Sequence, residues 1–231
     1  MYTELSGYLM ARDKGTNIMK HPSNNAPVLS NRARELRTKL ARKIAFFIGP
    51  KEKLITDVPG LLLSRRTAPT APATATYEPS LAVVAQGRKR ATLAGTTFIF
   101  DQSRYLLTSL DLPVICNVIE ASERVPYLCF VLKLEMPVVR ELLSREEIQA
   151  AEVPSDNPAM ATGETTAELL DACCRLVDLL NTPRDIPFLS ELIQREIIYR
   201  ILRGPEGRAF ARLQPWEIRA TGRRRPSLGS G

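Results

Sequence analysis

Few side chains in this 231-residue chain can do covalent or metal chemistry: one histidine, His21, and four cysteines, Cys116, Cys129, Cys173 and Cys174. A transition-metal enzyme gathers several imidazoles with carboxylate or thiolate partners, and one histidine cannot supply them. A nucleophile activated by a positioned base fails for the same reason, because His21 lies in a polar leader away from any ordered-looking segment. The cysteines show no Cys-x-x-Cys spacing. Cys173 and Cys174 are adjacent within a helical pattern, which suits buried structural thiols better than disulfides or zinc ligands. Carboxylate or lysine acid-base chemistry has its residue types here but no spacing that points to it. The expectation is a protein with no catalytic residue, no metal site and no cofactor.

Non-covalent binding has better candidates. Tyr77, Gln86, Tyr105, Thr108 and Asp111 fall near the ends of strand-like runs, where polar groups can orient a small molecule in a concave pocket. Each also has a structural role open to it: the tyrosines as rim or core aromatics, and Asp111 as a turn residue before Leu112-Pro113. The stretch Gln86-Gly87-Arg88-Lys89-Arg90 sets cations beside a glycine, as a phosphate-binding nest does. It lacks the flanking glycines and helix start of such a loop, and a solvated turn whose cations discourage edge pairing fits it better.

These residues sit in a chain with three grammars. The leader, residues 1–30, is polar and without period, and reads as flexible. Asn31 can then cap a helix to Ile48, with Leu36, Leu40, Ile44 and Phe47 as its apolar stripe, Arg34, Arg37, Arg42 and Lys43 around it, and Gly49-Pro50 as its stop. Residues 54–135 change to short runs rich in β-branched and aromatic residues. Leu61–Arg65, Leu81–Gln86, Arg90–Leu93, Thr97–Phe100, Tyr105–Ser109, Val114–Glu120 and Tyr127–Leu134 read as antiparallel strands, with Ala94-Gly95 as a tight hairpin. Residues 136–213 return to helical period in about three helices, separated by a loop over Ala151–Thr165. The expected fold is α+β: a small antiparallel barrel or jelly roll with an N-terminal helix and C-terminal helices. Leu169, Cys173, Leu176 and Leu180 form a stripe on the second of these helices that could meet a second subunit. On the last helix, Leu189, Leu192, Ile193, Ile197, Ile201 and Leu202 supply the expected buried face.

Charge is distributed unevenly. Arg32 to Lys53 holds eight Lys and Arg against two Glu, and Arg200 to Gly231 holds eight Arg against two Glu. The body between is mildly acidic and carries no nucleic-acid footprint of its own. No early apolar run is long enough for a signal peptide or membrane span, so a cytoplasmic protein is expected.

Several segments, read in order, resemble the N-terminal region of AraC-type bacterial transcriptional regulators. They are Val58-Pro59-Gly60-Leu61, Tyr77-Glu78-Pro79-Ser80, Val83-Val84-Ala85-Gln86-Gly87-Arg88-Lys89, Tyr105-Leu106-Leu107 and Ser109-Leu110-Asp111-Leu112-Pro113-Val114. Glu120-Ala121-Ser122, Pro126-Tyr127-Leu128, Asp185-Ile186-Pro187, the run Arg195 to Leu202, and Gly204-Pro205-Glu206-Gly207 continue the match, which covers roughly residues 31–213. The resemblance implies a cupin-like barrel that senses an unidentified small-molecule effector and pairs subunits, as a homodimer or with full-length regulators. Such regulators continue into helix-turn-helix units that enter the major groove. Here residues 214–231 are rich in Arg, Gly, Pro and Ser. They read as a disordered tail, an out-of-frame or truncated ending or a linker, so specific DNA binding by this chain is not expected. The alternatives are a stand-alone dimerisation module, a non-specific nucleic-acid binder acting through the basic flanks, and, weakest, a metal-free cupin enzyme.

Overall fold

The computed structural model describes residues 31–144 and 159–204. The leader, most of the loop after residue 144, and the tail with its expected disorder lie outside the described residues.

Helix α1 spans Asn31–Ile48, so Asn31 is the first helical residue rather than the residue preceding the helix. Its buried face is Ala33, Arg37, Leu40, Ala41, Ile44 and Ile48, at the three- and four-residue steps of an amphipathic helix. Arg37 is thus inside the stripe that the sequence reading placed it beside. Gly49, at φ 56°, ends the helix in the left-handed conformation that glycine adopts cheaply.

Among the described residues ten strands follow: β1 (Lys53–Ile55), β2 (Leu61–Arg66), β3 (Ala73–Tyr77), β4 (Ser80–Gln86), β5 (Arg88–Leu93), β6 (Thr96–Asp101), β7 (Arg104–Thr108), β8 (Leu112–Glu120), β9 (Tyr127–Lys133) and β10 (Met160–Glu164). They form one antiparallel sheet in the order β1-β2-β9-β4-β7-β6-β5-β8-β3, with β10 added on β7. Seven are the strands expected from alternation. β1, β3 and β10 were not foreseen, and β10 occupies part of the expected Ala151–Thr165 loop, with Met160 opposite Thr108 and Glu164 opposite Arg104. Ala94 (φ 47°) and Gly95 (φ 83°) make the hairpin between β5 and β6, both central residues taking the positive φ of a type I′ turn.

The sheet curls on itself into a half-barrel, and Gly87 makes the corner. It joins β4 to β5, which lie three places apart in the strand order, at φ 82°. A Cβ there would stand 2.5 Å from the Glu120 carbonyl oxygen and 3.0 Å from Tyr127 Cα. The basic run after it is therefore neither a solvated turn nor an edge. Arg88, Lys89 and Arg90 belong to β5, paired between β6 and β8, and Arg88 Nε lies 3.6 Å from Asp101 and 3.7 Å from Glu120.

Alternation along the strands divides the core in two. Inside the curl, Val84, Ala91, Phe100, Leu106, Val114, Val118, Tyr127 and Cys129 pack together. On the outer face Leu81, Val83, Leu107, Phe130 and Leu132 meet the helices. Those helices are α1, α2 (Met136–Leu143), α3 (Ala167–Asp178) and α4 (Ile186–Arg203), with two short 3-10 turns between the last pair. Thr166 caps α3 by accepting the Leu169 N–H at 3.2 Å. α1 packs on α3 and on β2, β4 and β9, and α3 packs on α4. The interface of α3 and α4 is tied at its polar margin by Glu196, which accepts from Arg175 at 2.6 Å and from Arg200 at 2.5 Å.

The buried face of α4 departs from expectation in its first half. Ile186, Ser190, Gln194, Ile197, Ile198, Ile201 and Leu202 point inward. Leu189 and Leu192, expected inside, are exposed, as is Phe188. Gln194 is accommodated because its side-chain amide donates to the Pro59 carbonyl at 2.9 Å, satisfying a polar group that burial would otherwise penalise.

Candidate functional site

The five candidate binding residues do not converge. Thr108, the last residue of β7, is buried opposite the start of β4, where it accepts from the Ser80 N–H at 3.1 Å and donates to the Glu78 carbonyl at 2.7 Å. It locks the Tyr-Glu-Pro-Ser segment in place. Asp111 is exposed in the turn before β8. Tyr77 points into the curl beside the Cys116 and Cys129 thiols, with Lys89 Nζ 5.3 Å above its ring. Burial, and then the Cys116 thiol, push its hydroxyl far above the ordinary tyrosine range. Tyr105 lines a small cleft of about 120 Å³ with Leu169 and Arg200. Only Gln86 reaches the larger cavity.

The residues proposed for subunit contact are also placed elsewhere. Leu169, Cys173 and Leu176 are buried within the chain's own core and Leu180 packs against it, so that stripe is spent on α1, the sheet and α4. Burial raises the thiols of Cys173, Cys174 (to about 11) and Cys129, which keeps them protonated and weakly nucleophilic. All four cysteines are free thiols. Among the described residues no three His, Cys, Asp or Glu side chains are grouped to hold a metal ion.

The larger cavity is an open cleft of about 350 Å³ between α1 and the outer face of the sheet where β4 ends and β9 begins. α1 supplies Arg34, Arg37, Ala41, Arg42 and Ala45 from successive turns of one face. The floor is Ala85 and Gln86 at the end of β4 and Leu128 at the start of β9, and Gln102 in the β6–β7 turn and Pro126 complete the rim. Gln86 is held by donating to the Pro126 carbonyl at 2.7 Å. Among the described residues three arginines line the cleft and no acidic side chain does.

Arg37 dominates its electrostatics. It is 5% exposed, and its Nε and Nη2 atoms are buried without a hydrogen-bond partner among the described residues. Burial lowers the affinity of the guanidinium for its proton, Asp101 opposes that effect, and Arg34 adds to it. Sequence reasoning missed this residue by treating every arginine of α1 as a solvated margin. The signal was present: Arg37 stands three residues before Leu40, seven before Ile44 and eleven before Ile48, in phase with the buried face.

A curled antiparallel sheet flanked by an N-terminal helix and C-terminal helices, with a cleft lined by binding rather than reacting groups, defines a ligand-sensing class of domain. The model of the AraC-type transcriptional regulator N-terminus matches residues 57–209, and the chain belongs to that family. The family is one of regulatory sensing domains, and the expected cupin-like architecture is present as the half-barrel. The chain is similar to ToxT from Vibrio cholerae O395 bound to (E)-4-(8-methylnaphthalen-1-yl)but-3-enoic acid. That likeness has 11% identity and a TM-score of 0.44 over 69% of this chain and 58% of that one. A second structure of ToxT from Vibrio cholerae O395 gives 10% identity and a TM-score of 0.37 over 62% of this chain and 50% of that one. The chain thus spans between half and three fifths of these proteins. No curated protein matches it. No helix among the described residues is long and apolar enough to cross a membrane.

Proposed function

We propose that this chain is the effector-sensing and subunit-pairing part of a transcriptional regulator, with the effector bound in the cleft between α1 and β4–β9. The observation that carries the reading is the cleft itself. In a chain of this family, a cavity of about 350 Å³ lies where a helix meets the sheet, and a ligand there would bear on both at once. A ligand that favours one setting of α1 shifts the population toward it, which is the physical requirement for a sensor. Retention of small molecules from a metabolite mixture, compared between the chain and its Ala41→Trp variant, tests this. Retention lost when the indole fills the cleft supports the site, and equal retention by both places the effector elsewhere.

Pairing is favoured by α4 rather than α3. Phe188 and Leu192 are 74% and 63% exposed while Ser190 and Gln194 of the same helix are buried, an inversion that serves a surface meant to be covered by another protein. Sedimentation velocity of the chain and of a Phe188→Asp/Leu192→Glu variant should show a concentration-dependent dimer only in the first. A chain that stays monomeric at high concentration removes this half of the reading. The basic flanks carry no comparable observation for nucleic acid, since the tail lies outside the described residues.

A further inference from the structure

The polar groups of the cleft are ordered along it: its two ends donate and its middle accepts. Arg34 and Arg42 line it from α1, eight residues and so about 12 Å apart along the helix, and both are exposed. Among the described residues neither forms an ion pair with an acidic side chain. Between them Thr38 donates its hydroxyl to the Arg34 carbonyl at 3.0 Å, so its oxygen is left only as an acceptor. Across the cleft the Gln86 amide nitrogen is engaged by the Pro126 carbonyl at 2.7 Å, which leaves the Gln86 side-chain oxygen to accept. Arg37 stands behind this wall. Its Nε and Nη2 atoms are closed off, and its charge, offset in part by Asp101, only adds to the positive potential in front.

A single exposed cation holds a monoanion weakly, because water screens the pair. Two guanidinium forks, each meeting a phosphate with paired N–H groups, hold a ligand that carries both anions far better. A fatty or aromatic monocarboxylate leaves one arginine and both acceptors unused.

We infer, resting on the reading of this cleft as the effector site, that its ligand is a polyhydroxylated metabolite with a phosphate at each end, of the sugar bisphosphate class. One phosphate meets Arg34 and the other Arg42, whose long side chains lean toward each other over the span of a six-carbon sugar. The hydroxyls between donate to Thr38 Oγ1 and Gln86 Oε1, and the C–H face of the sugar lies on Ala41 and Ala85.

Calorimetric titration of the full chain at low salt with fructose 1,6-bisphosphate, fructose 6-phosphate, fructose, hexane-1,6-diol bisphosphate and octanoate tests the assignment. The sugar bisphosphate should bind at least about tenfold more tightly than the monophosphate, the effect of one more bidentate phosphate contact. Arg34→Met and Arg42→Met should each bring it down to the level of the monophosphate. Lys39→Met removes an exposed cation of α1 that does not line the cleft, and should leave the titration unchanged. The diol bisphosphate has the same ends without hydroxyls on the carbons between, and should bind more weakly. Monophosphate bound as tightly as bisphosphate overturns the assignment, and so does an equal loss in Lys39→Met. Equal binding of the diol bisphosphate, or octanoate bound more tightly than the sugar bisphosphate, also overturns it. Silence of every sugar phosphate overturns it too, and the effector reading itself falls only if Ala41→Trp retains metabolites as the unmodified chain does.

Discussion

Two helices bury a polar side chain against the same half-barrel, and they treat it in opposite ways. Gln194 of α4 sits in a buried stripe and donates to the Pro59 carbonyl, so its burial is compensated. Arg37 of α1 is buried at an equivalent depth, with two guanidinium nitrogens unpartnered among the described residues and a cleft in front of it. A buried polar group that is fully satisfied helps to specify one arrangement. One left unsatisfied stores a cost that a ligand can remove. The difference separates a fixed support from a responsive one.

The largest effect should come from the corner on which the cleft floor is built. Gly87→Ala adds a Cβ 2.5 Å from the Glu120 carbonyl at a φ that favours glycine, and should cost about 3 kcal/mol or more of stability, read by urea denaturation. Near-normal stability in that variant would mean that the floor is adaptable and the contrast between the two helices is softer than described.

The comparison itself is sharpened by a pair of substitutions of opposite sign. Arg37→Met should stabilise the unliganded chain by about 1–2 kcal/mol, because an uncompensated buried charge disappears. Gln194→Ala should destabilise it by about 1 kcal/mol, because a made hydrogen bond is lost. Equal signs in the two melting curves would break the contrast.

The smallest effect concerns how α4 is anchored. Burial works to raise the Glu196 carboxyl, but the hydrogen bonds from Arg175 and Arg200 outweigh it and hold the group below its ordinary value. A carboxyl lowered in the folded state contributes stability that is present above its unfolded pKa and is lost as pH falls through its folded value. Glu196→Gln should therefore cost about 1 kcal/mol or less at neutral pH, with the deficit vanishing in the acid range below the usual carboxylate pKa. Denaturation midpoints of both chains across that range would show a parallel offset instead if the ion pairs contribute nothing.

Local pattern revealed much of this fold. Alternation located seven strands, the Ala94-Gly95 hairpin followed from the need for two positive φ values, and the Asn31 and Gly49-Pro50 signals gave the limits of α1 to within a residue. Three strands escaped, β3 and β10 because their pairing is remote and β1 because it is short. β1 is only three residues long, β3 lies in an Ala- and Thr-rich stretch at the sheet edge, and β10, Met-Ala-Thr-Gly-Glu, becomes a strand by pairing along β7. Of the site, Gln86 was legible as a polar group at a strand end, and Arg37 was not.

By itself the sequence determined most of the segments that are helix or strand, that one histidine cannot furnish metal or triad chemistry, and which family the phrases of the chain resemble. These depend on residue type and short-range period, which a chain carries without folding. Only the tertiary structure decided which polar groups would be compensated. Thr108 found the Glu78 carbonyl and Gln194 the Pro59 carbonyl, while two nitrogens of Arg37 were buried without a partner among the described residues. Satisfaction of a buried group depends on what the fold brings within hydrogen-bond reach, and that distance is not written along the chain.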